Sequence, residues 1–172
     1  MTVSSSIYLV VMGVAGCGKS SLGLALAQAE GLTLIEGDDH HSPTSREKMR
    51  EGIALTDTDR EGWLGTLGEL LQAHPAGAVL TCSALKQAYR DRLRKACPAL
   101  RFVFLEIDRA SAGQRVAARA GTHFFSSALV DSQFATLESP VGEAGVLRLD
   151  ALADIATLQQ QASAWIAATE AA

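Results

Sequence analysis

The sequence predicts an α/β fold in which helices cover both faces of a five-stranded parallel sheet. The first observation is that five apolar, β-rich runs alternate with helix-like segments along 172 residues. The second is that the first apolar run leads directly into GVAGCGKS, residues 13–20, and then into a helix-like segment. A strand, a glycine-rich turn and a helix in this order are typical of the P-loop NTPase-type three-layer sandwich. The length fits one domain, which we expect to span residues 1–172.

The elements of the first half follow from apolar spacing and from end signals. Residues 7–12, IYLVVM, form a continuous apolar run, which is typical of a strand buried on both faces. A helix over 20–30 follows the glycine-rich turn, and Gly31 is placed to end it. The next elements are a second strand, a short helix, a longer helix with one apolar face and a third strand, predicted over 32–39, 45–52, 56–74 and 78–84.

The second half continues the alternation. A basic amphipathic helix is predicted over 84–96, and it ends near Pro98. After it we expect a fourth strand, a helix, a segment that is irregular and then helical, a fifth strand and a closing helix, over 101–108, 110–120, 121–140, 145–151 and 153–172. Right-handed crossovers bring the carboxyl ends of all five strands to one edge of the sheet, where ligands bind.

Composition narrows the partners and the compartment. The net charge is −4, without the basic excess typical of nucleic-acid-binding domains, so we expect no nucleic-acid partner. The first apolar run breaks at Gly13 and is too short to span a bilayer, so we expect no membrane segment. The three cysteines are an odd number without zinc-site spacing, which favours a reduced, cytoplasmic compartment.

The stretch from Gly13 to Ser20 matches the phosphate-binding motif G-x-x-x-x-G-K-S. Its glycines permit a concave nest of backbone N–H groups, and the following helix adds the positive end of its dipole. Lys19 is expected to reach the β- and γ-phosphates of ATP, and the Ser20 hydroxyl to bind Mg²⁺. The predicted nucleotide-binding residues of this loop are Gly13, Val14, Ala15, Gly16, Cys17, Gly18, Lys19, Ser20 and Ser21. The alternative is a glycine turn that holds no ligand.

The motif does not name the reaction, because P-loop proteins include GTPases, motor ATPases and small-molecule kinases. The chain has no N-K-x-D or T-K-x-D string for guanine, which argues against a GTPase, and it is short for a motor ATPase. Glu106 and Asp108 are the nearest candidates for a metal-binding acid pair after a strand. We expect them instead to begin the loop that follows the fourth strand.

The end of the second strand supplies a candidate catalytic carboxylate. A kinase that acts on an alcohol needs a carboxylate to orient the hydroxyl and accept its proton, and Asp38 is placed for this role. Asp38 and Asp39 fit equally well as helix caps or solvated loop residues, and position alone does not separate the two interpretations. His40 and His41 are adjacent and point apart in an extended segment, so we do not expect a zinc pair.

These residues resemble the gluconate kinases, P-loop enzymes that make 6-phosphogluconate from ATP and D-gluconate. The resemblance covers nearly the whole chain, in blocks over 12–23, 37–64, 82–94 and 123–140. The first block is generic. The second is specific in order and spacing, with Asp38, His41, Lys48, Met49, Gly52, Leu55, Asp57, Asp59, Arg60, Trp63 and Leu64 at the family positions. The resemblance implies Mg²⁺-dependent phosphoryl transfer from ATP to gluconate, with Lys19 and Asp38 as catalytic residues, and a homodimer.

Gluconate is a small polyol with one carboxylate, so its site needs hydroxyl partners and at least one cation. Ser83, Lys86 and Arg90 lie just past the third strand, at the expected binding edge. The spacing of four puts Lys86 and Arg90 on one helix face, where one or both are expected to pair with the carboxylate. The alternative is a solvated basic face. Arg60 either binds substrate or neutralises the neighbouring aspartates.

A lid is expected over approximately 115–135. Arg115 and Arg119 lie four apart on one predicted helix face. In related P-loop kinases such arginines close over ATP and stabilise charge on the transferring phosphoryl group, so both are assigned to the nucleotide and Arg119 also to catalysis. The predicted substrate-binding residues, including two from this segment, are Asp38, His41, Arg60, Ser83, Lys86, Arg90, His123 and Gln133.

Four residues depart from the family pattern, and a fifth residue, Cys17, carries an expectation of its own. Ser42 and Ser45 depart from the family pattern near the catalytic carboxylate, and Thr122 and Ser126 depart from it in the lid. Cys17 lies beside Lys19 at a helix N-terminus, where thiol pKa values tend to fall, so its oxidation is expected to block ATP. The alternative for Cys17 is a small residue tolerated in a tight turn.

Two other functions stay open beside gluconate phosphorylation. One is a kinase for another small acidic acceptor such as shikimate, against which the blocks CSALK and SQFATLESP argue. The other is a nucleotide-binding regulator without turnover, against which the intact Lys19, Ser20 and Asp38 argue.

Overall fold

The computed structural model describes residues 5–119 and 127–172. Within them, five strands form one parallel sheet in the order β2-β3-β1-β4-β5. The strands are β1 Ile7–Met12, β2 Thr33–Glu36, β3 Gly77–Thr81, β4 Arg101–Glu106 and β5 Val146–Asp150. The helices are α1 Lys19–Glu30, α2 Pro43–Arg50, α3 Asp57–Gln72, α4 Gln87–Ala96, α5 Arg109–Ala118, α6 Ser127–Thr136 and α7 Ile155–Glu170. The predicted α/β sandwich is confirmed.

Apolar side chains cover both faces of the sheet because its strands alternate their side chains between two cores. Leu9 and Val11 of β1 point into the core beneath α1 and α7, together with buried Leu22 and Leu158. Residues between them point to the opposite face, which is covered by α3 and α4. That second core contains Val10, Met12, Leu67, Leu71, Leu93 and Phe102. The helices therefore lie on both faces, as predicted.

The second strand is shorter than predicted. It ends at Glu36, and residues Gly37–His40 form one turn of 3₁₀ helix. The turn begins here because the backbone meets the end of β3: a Cβ atom on Gly37 would lie 2.2 Å from the Thr81 carbonyl oxygen. Only glycine permits this approach, and the turn redirects the chain so that Asp38 leaves the strand line.

β1 occupies the middle of the sheet, with β3 on one side and β4 on the other. The chain that follows β1 therefore leaves the sheet at the point where the strand order reverses, which is where open parallel sheets bind ligands. A hydrogen bond of 3.3 Å from the Gly13 N–H to the Ser83 carbonyl ties this loop to the end of β3. Over residues 5–119 and 127–172, no helix has the length and apolar character needed to cross a bilayer.

Candidate active site

The glycine-rich loop wraps the start of α1. Gly16 has φ +84°, and a Cβ atom there would lie 2.8 Å from the Ala112 carbonyl oxygen, so a helix packs directly against the loop. Gly18 is the N-cap of α1 and has no side chain to accept bonds from the first N–H groups of that helix. These N–H groups and the helix dipole make a local environment suited to an anion.

Lys19 and Ser20 begin α1 and already make polar contacts. The Lys19 ammonium donates to the carbonyl oxygens of Gly13 and Val14, at 3.0 and 3.1 Å. The Ser20 hydroxyl donates to Glu36 Oε2 at 3.0 Å. The same carboxylate oxygen accepts a 2.6 Å hydrogen bond from the Thr81 hydroxyl. The tips of β2 and β3 therefore hold a carboxylate against the predicted Mg²⁺ ligand.

Glu36 was not predicted as a metal ligand, because the candidate metal-binding acids were placed after the fourth strand. Its signal was present, because Glu36 is the last residue of a strand at the binding edge. Hydroxyl and carboxylate oxygens are ligands that Mg²⁺ prefers, so Ser20 and Glu36 fit that ion. Within the described residues, no group of three or more His, Cys, Asp or Glu side chains is arranged to hold a metal by itself.

Glu106, at the end of β4, and Asp108, just after it, have structural roles instead. Glu106 binds Arg148 at 2.5 and 3.0 Å, and this pairing lowers the pKa of the Glu106 carboxyl. Asp108 caps α5 by accepting a 2.8 Å bond from the Ser111 N–H. Asp108 lies in the loop after the fourth strand, as expected, but Glu106 is the last residue of β4, so the expectation is wrong for Glu106.

A first cavity lies over the glycine-rich loop. Its lining consists of six of the nine predicted loop residues together with Val116, Arg119 and one carboxylate, Asp38. The six are Ala15, Gly16, Gly18, Lys19, Ser20 and Ser21. The other three predicted residues, Gly13, Val14 and Cys17, are buried members of the loop and do not line this cavity. The cavity has the cations and backbone groups that a polyphosphate requires.

A second cavity adjoins the first at Asp38, which lines both. Four further predicted substrate-binding residues line it: His41, Arg60, Ser83 and Gln133. Apolar side chains, among them Met49 and Trp63, complete its wall. A small concave site with one cation, several hydrogen-bonding groups and an apolar wall suits a small polar organic acid.

His41 is held in this second cavity by stacking. Its ring lies 4.2 Å from the Trp63 ring, at 20° to it, and its Nε2 atom is 3.5 Å from Asp38 Oδ1. The Trp63 indole N–H donates to the Gly37 carbonyl at 2.8 Å, which fixes the stack relative to the 3₁₀ turn. Trp63 thus orients the candidate catalytic carboxylate and its neighbour.

Two buried polar atoms of this cavity have no hydrogen-bond partner among the described residues. They are Nδ1 of His41 and Nε of Arg60, and the two side chains belong to residues that are 8% and 7% exposed. The Arg60 guanidinium also lies 5.3 Å from the centre of the Tyr89 ring. Buried polar groups are nearly always paired in native proteins, so these two atoms are available to bind water or a polar ligand.

Lys86 and Arg90 are not brought to this cavity. Lys86 is the N-cap of α4 rather than part of its face, and its ammonium binds the Asp57 carboxylate at 3.0 and 3.3 Å. Tyr89 also donates to Asp57. The bonds from Tyr89 and Lys86 lower the pKa of the Asp57 carboxyl. This cluster lies at a separate groove, so the expected pairing of Lys86 with a substrate carboxylate finds no support in the geometry.

Arg90 is fully buried and fully engaged with protein groups. Its guanidinium binds Glu143 at 3.0 and 2.6 Å, the Ala84 carbonyl at 2.7 Å and the Glu138 carbonyl at 3.0 Å. Ala84 has φ +47°, which is a costly conformation for a residue with a Cβ atom. We therefore correct the substrate-binding assignment of Arg90: its side chain fastens a strained loop instead.

Arg115, in the last turn of α5, and Arg119, just past its end, occupy different positions. Arg119 ends the helix and lines the first cavity, as expected for a residue near the phosphates. Arg115 instead braces the loop from behind, by donating to the carbonyls of Gly16 and Cys17 at 3.2 and 3.4 Å and to Ala151 at 3.0 Å. Its expected contact with the nucleotide stays a prediction.

The predicted lid is described in part. His123, Thr122 and Ser126 lie outside the described residues. Gln133 on α6 accepts a 2.7 Å hydrogen bond from the Ala15 N–H and lines the second cavity. The end of α6 is tied to the loop after β3, because the Glu138 N–H donates to the Leu85 carbonyl at 2.8 Å. α6 therefore forms one wall of the second cavity.

Three remaining expectations concern Ser42, Ser45 and Cys17. Ser42 is the N-cap of α2, and its hydroxyl accepts from the Ser45 N–H at 3.1 Å, so both departures take part in starting that helix. Cys17 is 1% exposed. Burial raises the pKa of its thiol despite the neighbouring Lys19, so the expected lowering is wrong.

The loop, the carboxylate at the next strand tip and the two adjoining cavities define a P-loop kinase of small molecules. A family model described as an AAA domain matches residues 9–141. The chain is 41% identical to the gluconokinase of Gluconobacter oxydans (strain 621H) over 145 residues, which are 83% of this chain and 81% of that protein. It is 39% identical to the thermosensitive gluconokinase of Escherichia coli (strain K12), over 88% of this chain and 83% of that protein.

A solved structure is also similar to this chain in both fold and sequence. The crystal structure of a gluconokinase from Sinorhizobium meliloti 1021 superimposes with a TM-score of 0.87 and 44% identity. The match covers 96% of this chain and 94% of that one. The chain belongs to the gluconokinase family.

Proposed function

We propose that this chain phosphorylates D-gluconate with ATP, giving 6-phospho-D-gluconate and ADP. The observation that carries the proposal is that Asp38 lines both cavities, so one carboxylate faces the phosphate loop and the acceptor site together. Family membership supports ATP as the donor and gluconate as the acceptor. The product is the phosphate ester of the hydroxyl group at the far end from the carboxylate.

The chain's own residues supply each part of the transfer. Asp38 orients the attacking hydroxyl and takes its proton as the new oxygen–phosphorus bond forms, while the bond from the γ-phosphorus to the leaving ADP oxygen breaks. Lys19 and Arg119 offset the charge that develops on the transferring group and on ADP. Ser20 and Glu36 would hold Mg²⁺, which when bound offsets phosphate charge.

The second cavity determines which acceptor binds. Arg60 is its cation, and the unpaired Nε atom leaves a donor for the substrate carboxylate. His41, Ser83 and Gln133 are the groups placed to bind hydroxyls. In this proposal Arg60 takes the role that was expected of Lys86 and Arg90.

A coupled ADP-release assay over a panel of sugar acids and shikimate tests the function. We expect ADP release that depends on gluconate and that stops when Mg²⁺ is removed with a chelator. Release with shikimate but not with gluconate would overturn the proposal in favour of the other acidic acceptor. The absence of release with every acid, with the nucleotide still bound, would indicate a regulator.

The proposal also covers the cellular compartment and the oligomeric state. The three cysteines are free and buried, which suits a reduced, cytoplasmic protein. A homodimer is expected from the family resemblance, and light scattering coupled to size exclusion measures it directly.

A further inference from the structure

One buried amide connects the two cavities of the site. Gln133 is 8% exposed, and its Oε1 atom accepts a 2.7 Å hydrogen bond from the Ala15 N–H. Ala15 lines the cavity over the phosphate loop, and Gln133 lines the neighbouring acceptor cavity. The two residues are 118 positions apart in the sequence, so only the tertiary structure brings them together.

The backbone of α6 is held in place close to this amide. Beyond the helix, the Glu138 N–H donates to the Leu85 carbonyl, and the Glu138 carboxylate accepts a 2.9 Å bond from the Gln87 N–H. The buried Arg90 binds the Glu138 carbonyl as well. These bonds tie the segment just after α6 to the loop after β3 and to the start of α4, so the backbone that carries Gln133 is joined to the same edge of the sheet as the two cavities.

The chemistry of a primary amide gives this link two different ends. Its oxygen accepts, and its nitrogen carries two N–H donors and accepts nothing. Since the Ala15 N–H is a donor, the oxygen is the end that faces the phosphate loop. The NH₂ end matches an acceptor atom, such as a hydroxyl or carboxylate oxygen of a ligand in the second cavity.

We propose that Gln133 is a positioning residue that couples occupation of the acceptor cavity to the conformation of the phosphate loop. A polyhydroxy acid that accepts a bond from the amide nitrogen orients the whole group, and the oxygen then fixes the Ala15 backbone beside the terminal phosphate. Each substrate thereby favours the binding of the other, because the second ligand meets a group that the first has ordered. This inference rests on the proposed function.

Two variants separate coupling from a purely structural tie. Gln133→Glu keeps an oxygen for the Ala15 N–H but carries no amide donor. Gln133→Met fills similar space and removes both bonds. Asp131→Asn is the matched control, since Asp131 is an exposed residue on the same helix and lines neither cavity.

The experiment measures the Kd of a non-hydrolysable ATP analogue by calorimetry, with and without saturating gluconate, for wild type and each variant. We expect gluconate to tighten nucleotide binding about 5-fold or more in wild type and Asp131→Asn, the lower end of typical coupling between sites. In Gln133→Met this factor falls to about 1. In Gln133→Glu the bond to the Ala15 N–H is kept but the amide donor is lost, so the coupling factor should also fall to about 1. The factor is the readout for this variant, because its negative charge by itself weakens the binding of both anionic ligands.

Three results would overturn the inference: no coupling in wild type, full coupling in Gln133→Met, or full coupling in Gln133→Glu. Thermal unfolding identifies a variant that fails to fold, and Gln133→Glu then gives the answer alone. The proposed function is judged separately by ADP release from wild type. If another sugar acid is the acceptor, the same measurements use that acid, so the two proposals fail independently.

Discussion

Asp38 is the proposed catalytic base, and it lines both cavities from within a turn whose close approach to β3 only Gly37 permits. Asp38→Asn retains the shape and a hydrogen-bonding oxygen but accepts no proton. We expect kcat to fall about 10²- to 10⁴-fold, the usual range for loss of general base catalysis, with the Kd for nucleotide unchanged. Steady-state ADP release and nucleotide titration check this expectation.

The adjacent acid provides the control for this prediction. Asp39 is exposed and lines neither cavity, so Asp39→Asn is expected to keep the wild-type kcat. Undiminished turnover by Asp38→Asn would remove the proposed base, whatever Asp39→Asn does.

Arg60 and Lys86 make opposite predictions about recognition of the substrate carboxylate. A buried, charge-assisted hydrogen bond contributes about 1.5–3 kcal/mol, so Arg60→Met should raise the KM for gluconate about 10- to 150-fold with a much smaller change in kcat. Lys86→Met should change the KM less than about 2-fold, because Lys86 pairs with an exposed Asp57 away from the cavity. Initial rates over a gluconate series measure both.

Arg92→Met is the control for a lost surface charge, since Arg92 is exposed and its nearest acid partner is 3.7 Å away. A large rise in the gluconate KM for Lys86→Met, together with no rise for Arg60→Met, would restore the assignment made from the sequence and contradict ours.

At the scale of elements, the start of α3 links two helices through Asp59. Asp59 closes a capping box with Thr56, and its carboxylate binds Lys48 of α2 at 2.9 Å. The Lys48 and Thr56 bonds lower the pKa of Asp59 to about 2. A carboxyl whose folded pKa lies below its unfolded pKa contributes stability above the unfolded value, and this stability is lost as the pH falls.

We therefore expect the melting temperature to decline between about pH 4 and about pH 2 with a contribution from Asp59, because the unfolded pKa is near 3.9. In Asp59→Asn this part of the decline should disappear, while stability at pH 7 is reduced. Circular dichroism melts at a series of pH values measure it. Glu61→Gln, at an exposed position of the same helix, is the control, and identical pH profiles for Asp59→Asn and wild type would contradict the prediction.

The loop after β3 is a second element-scale feature, and Arg90 fastens it. Arg90→Met removes bonds to the strained Ala84 and to Glu138, and it leaves Glu143 without its fully buried partner. Glu143 keeps Arg94 as a second partner at 3.0 Å, so the main loss is that of the donors to the other two carbonyls. Each unsatisfied group costs about 1–3 kcal/mol, so the free energy of unfolding should drop by about 2–5 kcal/mol. Urea titration measures the drop, and Lys95→Met, an exposed site on α4, is the control.

A double variant tests whether part of the loss comes from breaking the buried ion pair. Replacing both Arg90 and Glu143 with apolar residues should recover part of the loss, because no uncompensated charge is then buried. If Arg90→Met is as stable as wild type but has a raised gluconate KM, the structural assignment of Arg90 is incorrect.

At the scale of the whole molecule, the sequence predicted what depends on local pattern. Continuous apolar runs predicted the central strands β1, β3 and β4, because these are buried on both faces, and the loop motif predicted the phosphate site. The sequence did not reveal which arginine is buried where, because Arg90 is satisfied by Glu143, 53 positions away. The burial that raises the pKa of Cys17, and the contact of Ser20 on α1 with Glu36 on β2, likewise depend on tertiary packing.

Both cavities lie at one edge of a single sheet, so filling them should stabilise the entire fold. A ligand at 100 times its Kd adds about 2.7 kcal/mol, and for a chain of this size each kcal/mol raises Tm by about 2–4 °C. We expect a non-hydrolysable ATP analogue to raise Tm by about 5–10 °C, and gluconate to add a further rise. Glucose, which lacks the carboxylate that Arg60 is proposed to bind, should add nothing, and Lys19→Ala should lose the nucleotide-dependent rise. Equal stabilisation by glucose and gluconate in a melting series would show that the acceptor cavity does not read the carboxylate.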